Sequence, residues 1–347
     1  MDKKTTQLHS FHESNNAKFI DFGDWSMPFS YEGTLKEHDI VRNSSGFFDV
    51  SHMGRLEINY TELDKISTLI CSDLINIPDN KALYSIFTNE NGNALDDVIF
   101  WKFEDKFILI PNASNASKIK SHLSDHKIDF IDKSLETVLI AVQGPKTIEL
   151  IDDRFEIPEK FSTAKSDNFM YARTGYTGED GIEIMASNAE ADSLISFLIE
   201  KGIKPCGLGS RDTLRLEASL PLYGFELTED ITPVEASLSW TITNELDFLG
   251  SERIKAQLED GNHKSLKKFT IESRKIARTE TIGMAGDISG VVTSGNFSPI
   301  LNKSIGFILF ENKPSQDLIE FDIRGNLIEG NIVNLSLIHI SEPTRPY

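Results

Sequence analysis

The chain is poor in cysteine and in long apolar runs. Its 347 residues include two cysteines, Cys71 and Cys206, which are far apart and form no CxxC pair. They predict neither a disulfide framework nor a zinc knuckle, and they fit a reducing cytoplasm. The longest apolar runs, such as Val98 to Trp101, are only a few residues long, far below the roughly 20 that span a bilayer. We therefore expect no membrane segment, and the N-terminus lacks the apolar stretch of a secretory signal.

Positive charge is also scarce. Asp and Glu number 54 against 35 Lys and Arg, which gives a formal net charge of -19. A chain this acidic repels a polyphosphate, so nucleic acid is not an expected partner. The sequence has no GxGxxG, no P-loop and no G-x-S-x-G motif. His122 and His126 have helical metal-ligand spacing but lack a third ligand nearby, so we expect no metal site.

The patterns that are present predict a globular protein of two or three domains. Hydrophobic residues make up 39% and charged residues 26% of the chain, which is typical of a folded protein. Strand-like and helical segments alternate up to about Trp240, and from Gly250 onward short strands and turns indicate a small all-β domain. Two strands, Tyr84 to Thr88 and Ala94 to Trp101, are joined through Asn89 to Asn93, which predicts a hairpin.

The second strand of this hairpin carries two adjacent carboxylates. Side chains alternate along a strand, so Asp97 shares a face with Ile99 and Trp101 while Asp96 points to the other face. Only one of the two can face a given pocket. A carboxylate flanked by apolar neighbours is partly desolvated, which suits Asp97 to general acid/base catalysis. An exposed carboxylate at the start of a strand is the simpler alternative.

A glycine-rich segment, Arg173 to Ile184, leads into another predicted strand. Ile182 and Ile184 share one face of that strand, and Glu183 lies on the other. A carboxylate in this position can accept two parallel N–H bonds from the edge of a pterin or a guanine. An ordinary glycine-rich hairpin is the alternative.

The segment Gly207 to Glu217 predicts the start of a helix with Ser210 as N-cap. Arg211 then lies in the first turn, which is the unfavourable end of the helix dipole for a cation. This placement suggests that Arg211 binds an anion or a carbonyl group.

Motifs from about residue 8 to residue 334 occur together in one order. They are Asp21-Phe22, Trp25 to Pro28, Phe48 to Gly54, Tyr84 with Phe87 to Gly92, Leu95-Asp96-Asp97, Val142 to Pro145, Thr174 to Gly181, Gly207 to Gly224, Thr232 to Glu235 and Thr293 to Pro299. Each motif is weak alone. In this order they resemble the tetrahydrofolate-dependent aminomethyltransferase family of the glycine cleavage system, its T-protein.

The resemblance implies a mixed α+β fold, a three-domain cloverleaf around a central folate site with a small C-terminal all-β, barrel-like domain. Residues 1–53 and 133–250 would form a folate-binding α/β domain, and residues 54–132 an inserted α/β domain with the catalytic hairpin. Residues 251–334 would form the C-terminal β domain. Leu335 to Arg345 read like a translated sequencing-library adapter, so 335–347 are predicted to be a non-native tail.

The resemblance also implies an activity and the residues that perform it. The family moves the methylene of an S-aminomethyl-dihydrolipoyl group on H-protein to tetrahydrofolate, giving 5,10-methylenetetrahydrofolate and ammonia. Lipoylated H-protein and tetrahydrofolate are then the expected partners, in the cytoplasm. By position Asp97 corresponds to the catalytic aspartate, Glu183 to the pterin-binding glutamate and Arg211 to a folate-contacting arginine. The other residues expected to line the folate pocket are Tyr84, Trp101, Asn112 and Tyr176.

Two other functions stay open at this point. One is a tetrahydrofolate-dependent demethylase that acts on another small donor. The other is a non-catalytic folate-binding protein of iron–sulfur or RNA-modification pathways. Such proteins carry a KGCYxGQE pattern, which is absent from the corresponding stretch, Arg215 to Gly224.

Overall fold

The computed structural model describes residues 3–166, 168–245 and 247–333. The predicted non-native tail, 335–347, lies outside these residues. The chain divides into two compact units, and the first contains Met1–Phe87, Asp96–Asp212 and Asn244–Leu246. The second contains Thr88–Leu95, Thr213–Thr243 and Asp247–Tyr347. The three-domain boundaries given above stay a prediction.

Helices and strands alternate along most of the chain, as expected for a mixed fold. The helices are α1 (His9–Ser14), α2 (Thr34–Asn43), α3 (Leu63–Ser67), α4 (Ala116–Asp125), α5 (Thr147–Ile151), α6 (Ala191–Glu200), α7 (Leu208–Glu217) and α8 (Ser251–Asp260). The strands before α6 are β1 (Lys18–Phe22), β2 (Trp25–Ser30), β3 (Gly46–Asp49), β4 (Leu56–Asn59), β5 (Ala82–Thr88), β6 (Ala94–Lys102), β7 (Lys106–Ile110), β8 (Ile131–Asp132), β9 (Thr137–Gln143), β10 (Thr163–Ser166), β11 (Phe169–Ala172) and β12 (Gly181–Ser187). The remaining strands are β13 (Lys204–Pro205), β14 (Ser265–Ile271), β15 (Ile282–Ala285), β16 (Ile288–Ser298), β17 (Lys303–Phe310), β18 (Leu318–Ile323) and β19 (Asn326–Val333).

A six-stranded sheet in the first unit has the order β10-β11-β12-β9-β3-β13. Its strands are antiparallel except for the parallel pair β3 and β13. Apolar residues of β9 and β12, including Ile140, Ile182 and Ile184, pack with Leu194 and Leu198 of α6 in one buried cluster. The face of the sheet that carries these residues is therefore buried against α6.

The predicted hairpin is confirmed as β5 and β6, which are neighbours in the five-stranded sheet β5-β6-β7-β4-β8. Its turn is closed by the side chain of Asn89, whose Oδ1 accepts from the backbone N–H of Asn91 at 2.9 Å and of Asn93 at 3.0 Å. Asn is favoured in turns because its side chain makes such local bonds. The turn sets the hairpin register that places Asp96 and Asp97.

The second unit contains a closed barrel with the strand order β14-β17-β16-β15-β18-β19. Its interior is filled by large side chains such as Phe269, Val292, Ile308 and Phe321. A shift in register between Val292 and Ser294 bends β16 where it pairs with β17. This barrel of six strands confirms the predicted all-β, barrel-like domain near the C-terminus.

The short strands expected from Gly250 onward are confirmed as β14 to β19, but the expectation missed a helix in the first ten residues. Ser251–Asp260 form α8, flanked by Gly250 and Gly261 with φ of +77° and +67°. Ile254 and Gln257 lie on its buried face. A single buried apolar side chain on a helix in which half of the residues are charged leaves a weak periodic signal, which explains why the helix was not predicted.

No helix within the described residues is both long and apolar enough to cross a membrane. Cys71 and Cys206 are both buried free thiols.

Candidate active site

The two carboxylates of β6 have different environments. Asp96 is completely buried, whereas Asp97 is only partly buried. Asp97 Oδ2 accepts a hydrogen bond from the Tyr84 hydroxyl at 3.1 Å, and Asp97 Oδ1 accepts from Asn112 Nδ2 at 2.8 Å. The hairpin thus presents Asp97 toward Tyr84 and Asn112, two residues predicted for the folate pocket.

Asp96 is held by donors of the segment after β7, one of which, Asn112 Nδ2, also donates to Asp97. It accepts from the backbone N–H of Asn112 at 2.9 Å, from Asn112 Nδ2 at 2.8 Å and from Asn115 Nδ2 at 2.6 Å. Burial raises the pKa of Asp96, and the nearby charge of Asp97 raises it further. A buried carboxylate tied to its neighbours in this way stabilises the loop after β7. Sequence reasoning missed Asn115, which carries no motif.

Glu183 and Arg211 form a second cluster in the same unit. Glu183 lies on β12 on the face opposite Ile182 and Ile184, as predicted, and its Oε2 accepts from Thr174 Oγ1 at 2.7 Å. Within the described part of the chain, Oε1 of Glu183 makes no hydrogen bond. Burial lowers the pKa of Arg211, and the neighbouring Glu183 partly offsets this effect.

Two aromatic rings lie close to the Arg211 guanidinium. Its central carbon lies 4.9 Å from the ring centroid of Tyr176 and 5.7 Å from that of Phe48. Arg211 Nη1 is buried and has no hydrogen-bond partner among the described residues. Contacts of this kind stabilise a cation, and the unpaired N–H is free to bind a ligand.

Tyr176 connects the two clusters. Burial raises the pKa of Tyr84, and Asp97 and Tyr176 raise it further, so the hydroxyl of Tyr84 stays protonated and donates to Asp97. Six of the seven predicted residues are thus linked within the first unit by a contact or by an electrostatic effect, and we call these six the linked group: Tyr84, Asp97, Asn112, Tyr176, Glu183 and Arg211.

Trp101 is the predicted residue that this group does not include. It lies four residues after Asp97, on the same face of β6, but its side chain is completely buried. Over residues 3–333, as far as they are described, no hydrogen bond or ring contact joins Trp101 to the other six. Its role as an aromatic wall of the folate pocket stays a prediction.

The first turn of α7, which leads to Arg211, is positioned by a residue that sequence reasoning missed. Glu37 of α2 is completely buried, and its Oε2 accepts from the backbone N–H of Gly207 at 2.8 Å. Its Oε1 accepts from the backbone N–H groups of Tyr31, Glu32 and Gly33 at 2.7, 2.9 and 3.0 Å. An acidic residue in the first turn of a helix is common, so nothing in the sequence indicates these distant contacts.

The predicted N-cap of α7 is wrong. The helix begins at Leu208, and the carbonyl of Gly207 accepts from the backbone N–H of Arg211 at 3.2 Å. Ser210 is therefore inside the helix, where its hydroxyl donates to the Gly207 carbonyl at 2.9 Å. A Cβ at position 207 would lie 2.3 Å from the backbone of Phe29, so only glycine allows this close approach.

No group of three or more His, Cys, Asp and Glu side chains that could hold a metal ion occurs in the described ranges.

Comparison with protein families identifies the chain over most of its length. The GCVT N-terminal domain matches residues 8–245, and the glycine cleavage T-protein C-terminal barrel domain matches residues 264–338. The chain belongs to the glycine cleavage T-protein family. It is therefore an enzyme of the aminomethyltransferase class, as the order of its motifs predicted.

Individual relatives agree with this assignment. An aminomethyltransferase of Thermosipho melanesiensis is 39% identical, with 96% of each chain covered. One from Corynebacterium aurimucosum is 38% identical, over 92% of this chain and 93% of the relative. The crystal structure of glycine cleavage system aminomethyltransferase T from Bartonella henselae superposes with a TM-score of 0.90 at 29% identity, covering 96% of this chain and 98% of that one. The predicted fold class is confirmed.

Proposed function

We propose that this T-protein family member transfers the methylene of an S-aminomethyl-dihydrolipoyl group on H-protein to tetrahydrofolate. The products are 5,10-methylenetetrahydrofolate and ammonia, and the dihydrolipoyl thiol is released. The observation that carries the proposal is the partly buried Asp97, held by Tyr84 and Asn112 in one linked group with Glu183 and Arg211. Both cysteines are buried free thiols, which supports a reducing cytoplasm as the compartment.

The residues of this group fit a reduced folate. Glu183 offers a carboxylate oxygen that has no hydrogen bond to the described residues, which suits the N–H edge of the pterin. Arg211 offers a buried N–H that also has no partner among them. Tyr176 contacts Arg211, and Tyr84 and Asn112 contact Asp97. We assign these three residues to the folate pocket together with Trp101.

Asp97 would carry the proton transfers of the reaction. The methylene carbon exchanges its bonds to the sulfur and to the amino nitrogen for bonds to two folate nitrogens. Each of these folate nitrogens loses a proton, and the departing ammonia and the dihydrolipoyl thiol each take one up. A positioned carboxylate accelerates such transfers by about 10² to 10⁴ fold. Fixing the donor arm and the folate together supplies effective molarities of about 10⁵ M or more.

The test is ammonia release from aminomethylated H-protein by the full chain, with and without tetrahydrofolate. We expect release that depends on the folate and yields 5,10-methylenetetrahydrofolate. If folate binds but no ammonia is released, the donor is another small molecule or the protein is not catalytic. If folate does not bind, the assignment of the pocket is wrong.

Replacing Glu183 by Gln should weaken tetrahydrofolate binding about 10- to 100-fold, because hydrogen bonds to charged groups contribute about 1.5–3 kcal/mol. Thr174 Oγ1 donates to Oε2, so the carbonyl of Gln would turn toward Thr174 and its NH₂ toward the N–H edge of the pterin. Isothermal titration calorimetry measures the loss. Glu190→Gln, at a half-buried position next to the exposed Asn168, is the matched control. An unchanged Kd for Glu183→Gln contradicts the assignment.

A further inference from the structure

The tip of the hairpin that carries Asp97 is buried. Residues 92–94 are buried, although the residues that connect two strands usually lie at the surface. A Cβ at Gly92 would lie 2.8 Å from the carbonyl oxygen of Gly250, so glycine permits a close approach of two backbone segments here. Thr88–Leu95 belong to the second unit, and contacts within that unit hold the tip.

Ala94, the first residue of β6, is held through both of its backbone polar groups. Its N–H donates to the carbonyl of Ile231 at 2.8 Å, and its carbonyl accepts from the Tyr223 hydroxyl at 3.2 Å. Tyr223 is itself anchored, because the N–H of the preceding residue, Leu222, donates to Oε2 of the completely buried Glu226 at 3.0 Å. The start of β6 is therefore tied to a fixed loop.

Arg253 of α8 holds the turn of the hairpin. Its Nη1 donates to the carbonyl of Asn91 at 3.2 Å and to Oδ1 of the buried Asn93 at 2.9 Å. On the first strand of the hairpin, Thr88 Oγ1 donates to the carbonyl of Leu249 at 2.6 Å. Both strands and the turn between them are thus bound at the tip.

Asp97 lies between two fixed points of β6. Ala94 is three residues before it, and the pairing of β6 with β7 runs from Ile99 to Lys102 after it. A strand is already extended, at about 3.3 Å per residue, and has little length to give, so a shift of Ala94 reaches Asp97. Misplacing a reacting group by about 1 Å can cost about 10² fold in rate.

We propose that Tyr223 and Arg253 are positioning residues for Asp97, which they hold in place through the tip of its hairpin. The inference rests on the proposed function, because it takes Asp97 as the acid/base residue. Glu183 and Arg211 lie on β12 and α7, outside the hairpin. Loosening the tip should therefore lower kcat and leave the affinity for tetrahydrofolate unchanged.

Tyr223→Phe removes only the hydroxyl that binds Ala94. In the full chain we expect kcat for folate-dependent ammonia release to fall about tenfold, less than a misplacement of about 1 Å can cost, with an unchanged Kd for tetrahydrofolate. In an Asp97→Asn background the same change should alter the single-turnover rate little, because residues that act as a unit are not additive. Tyr171→Phe is the matched control and should keep kcat, since the Tyr171 hydroxyl also donates to a backbone carbonyl, that of Glu156 at 3.0 Å.

Arg253→Met removes the donors to the turn and should lower kcat in the same way. Arg253→Lys keeps a charged donor on a long side chain, so it should recover part of the loss. Arg274→Met is the matched control and should keep kcat. Nη2 of Arg274 also donates to Oδ1 of an asparagine, Asn302 at 3.2 Å, but in the turn between β16 and β17.

The outcomes separate this role from the proposed function. Wild-type protein without folate-dependent ammonia release overturns the proposed function, and full activity of Asp97→Asn overturns the choice of acid/base residue. If wild type is active and Asp97→Asn is impaired, an unchanged kcat in Tyr223→Phe or in Arg253→Met overturns the role of that residue alone. An equal loss of rate in the Asp97→Asn background, or a loss in Kd instead of kcat, overturns the positioning of Asp97. If Tyr223→Phe does not fold, Arg253→Met and Arg253→Lys decide by the same criteria.

Discussion

Asp97→Asn should lower kcat for folate-dependent ammonia release by about 10² to 10⁴ fold while tetrahydrofolate still binds. Asparagine preserves the size of the side chain and one acceptor oxygen. Tyr84 Oη and Asn112 Nδ2, at 3.1 and 2.8 Å from the two carboxylate oxygens, can still position it. It cannot take up or release a proton at neutral pH, so the proton transfers lose their catalyst. Ammonia release in single turnover, with folate affinity measured separately, distinguishes the two effects.

Asp96→Asn is the matched control on the neighbouring position of the same strand. Asp96 is completely buried and accepts three hydrogen bonds from Asn112 and Asn115. We expect this variant to lose conformational stability, because an NH₂ group would face those donors, and to retain far more turnover per folded molecule. Equal losses of kcat in the two variants contradict the assignment of Asp97 as the acid/base residue.

The strand face on which each key carboxylate lies could be predicted from the sequence, because side chains alternate between the two faces of a strand with a fixed period of two. Asp96 and Asp97 had to lie on opposite faces of β6, and Glu183 had to lie opposite Ile182 and Ile184 on β12. Each result needs only the strand and its buried face, which are local properties. The hairpin turn was equally local, since Asn89 bonds to residues two and four positions ahead.

Other parts of the site came only from the resemblance to the family. No spacing or composition singled out Tyr84, Asn112 or Tyr176, because they are brought to Asp97 and Arg211 by contacts between separate strands and loops. Asn115 was missed for the same reason. The start of α7 was predicted at Ser210, since Ser is a common N-cap, but the contact between Gly207 and Glu37, 170 residues away, places the start earlier.

Glu37→Met should destabilise the protein by at least about 3 kcal/mol. The carboxylate accepts from the backbone N–H groups of Tyr31, Glu32, Gly33 and Gly207, and each buried donor left without a partner costs about 1–3 kcal/mol. Methionine has a similar length and good helix propensity, so α2 itself should persist. The loss should appear as a lower urea midpoint for unfolding with an unchanged slope.

The same variant should also weaken folate binding. Glu37 holds Gly207, the residue directly before α7, and Arg211 lies in the first turns of that helix. Glu37→Gln keeps one acceptor oxygen, so its loss of stability and of affinity should fall between those of wild type and Glu37→Met. Glu32→Met is the control, since Glu32 is exposed and its side chain pairs only with Lys36 within the described residues. A destabilised Glu37→Met protein whose folded fraction binds folate as tightly as wild type would show that Glu37 supports the fold without positioning Arg211.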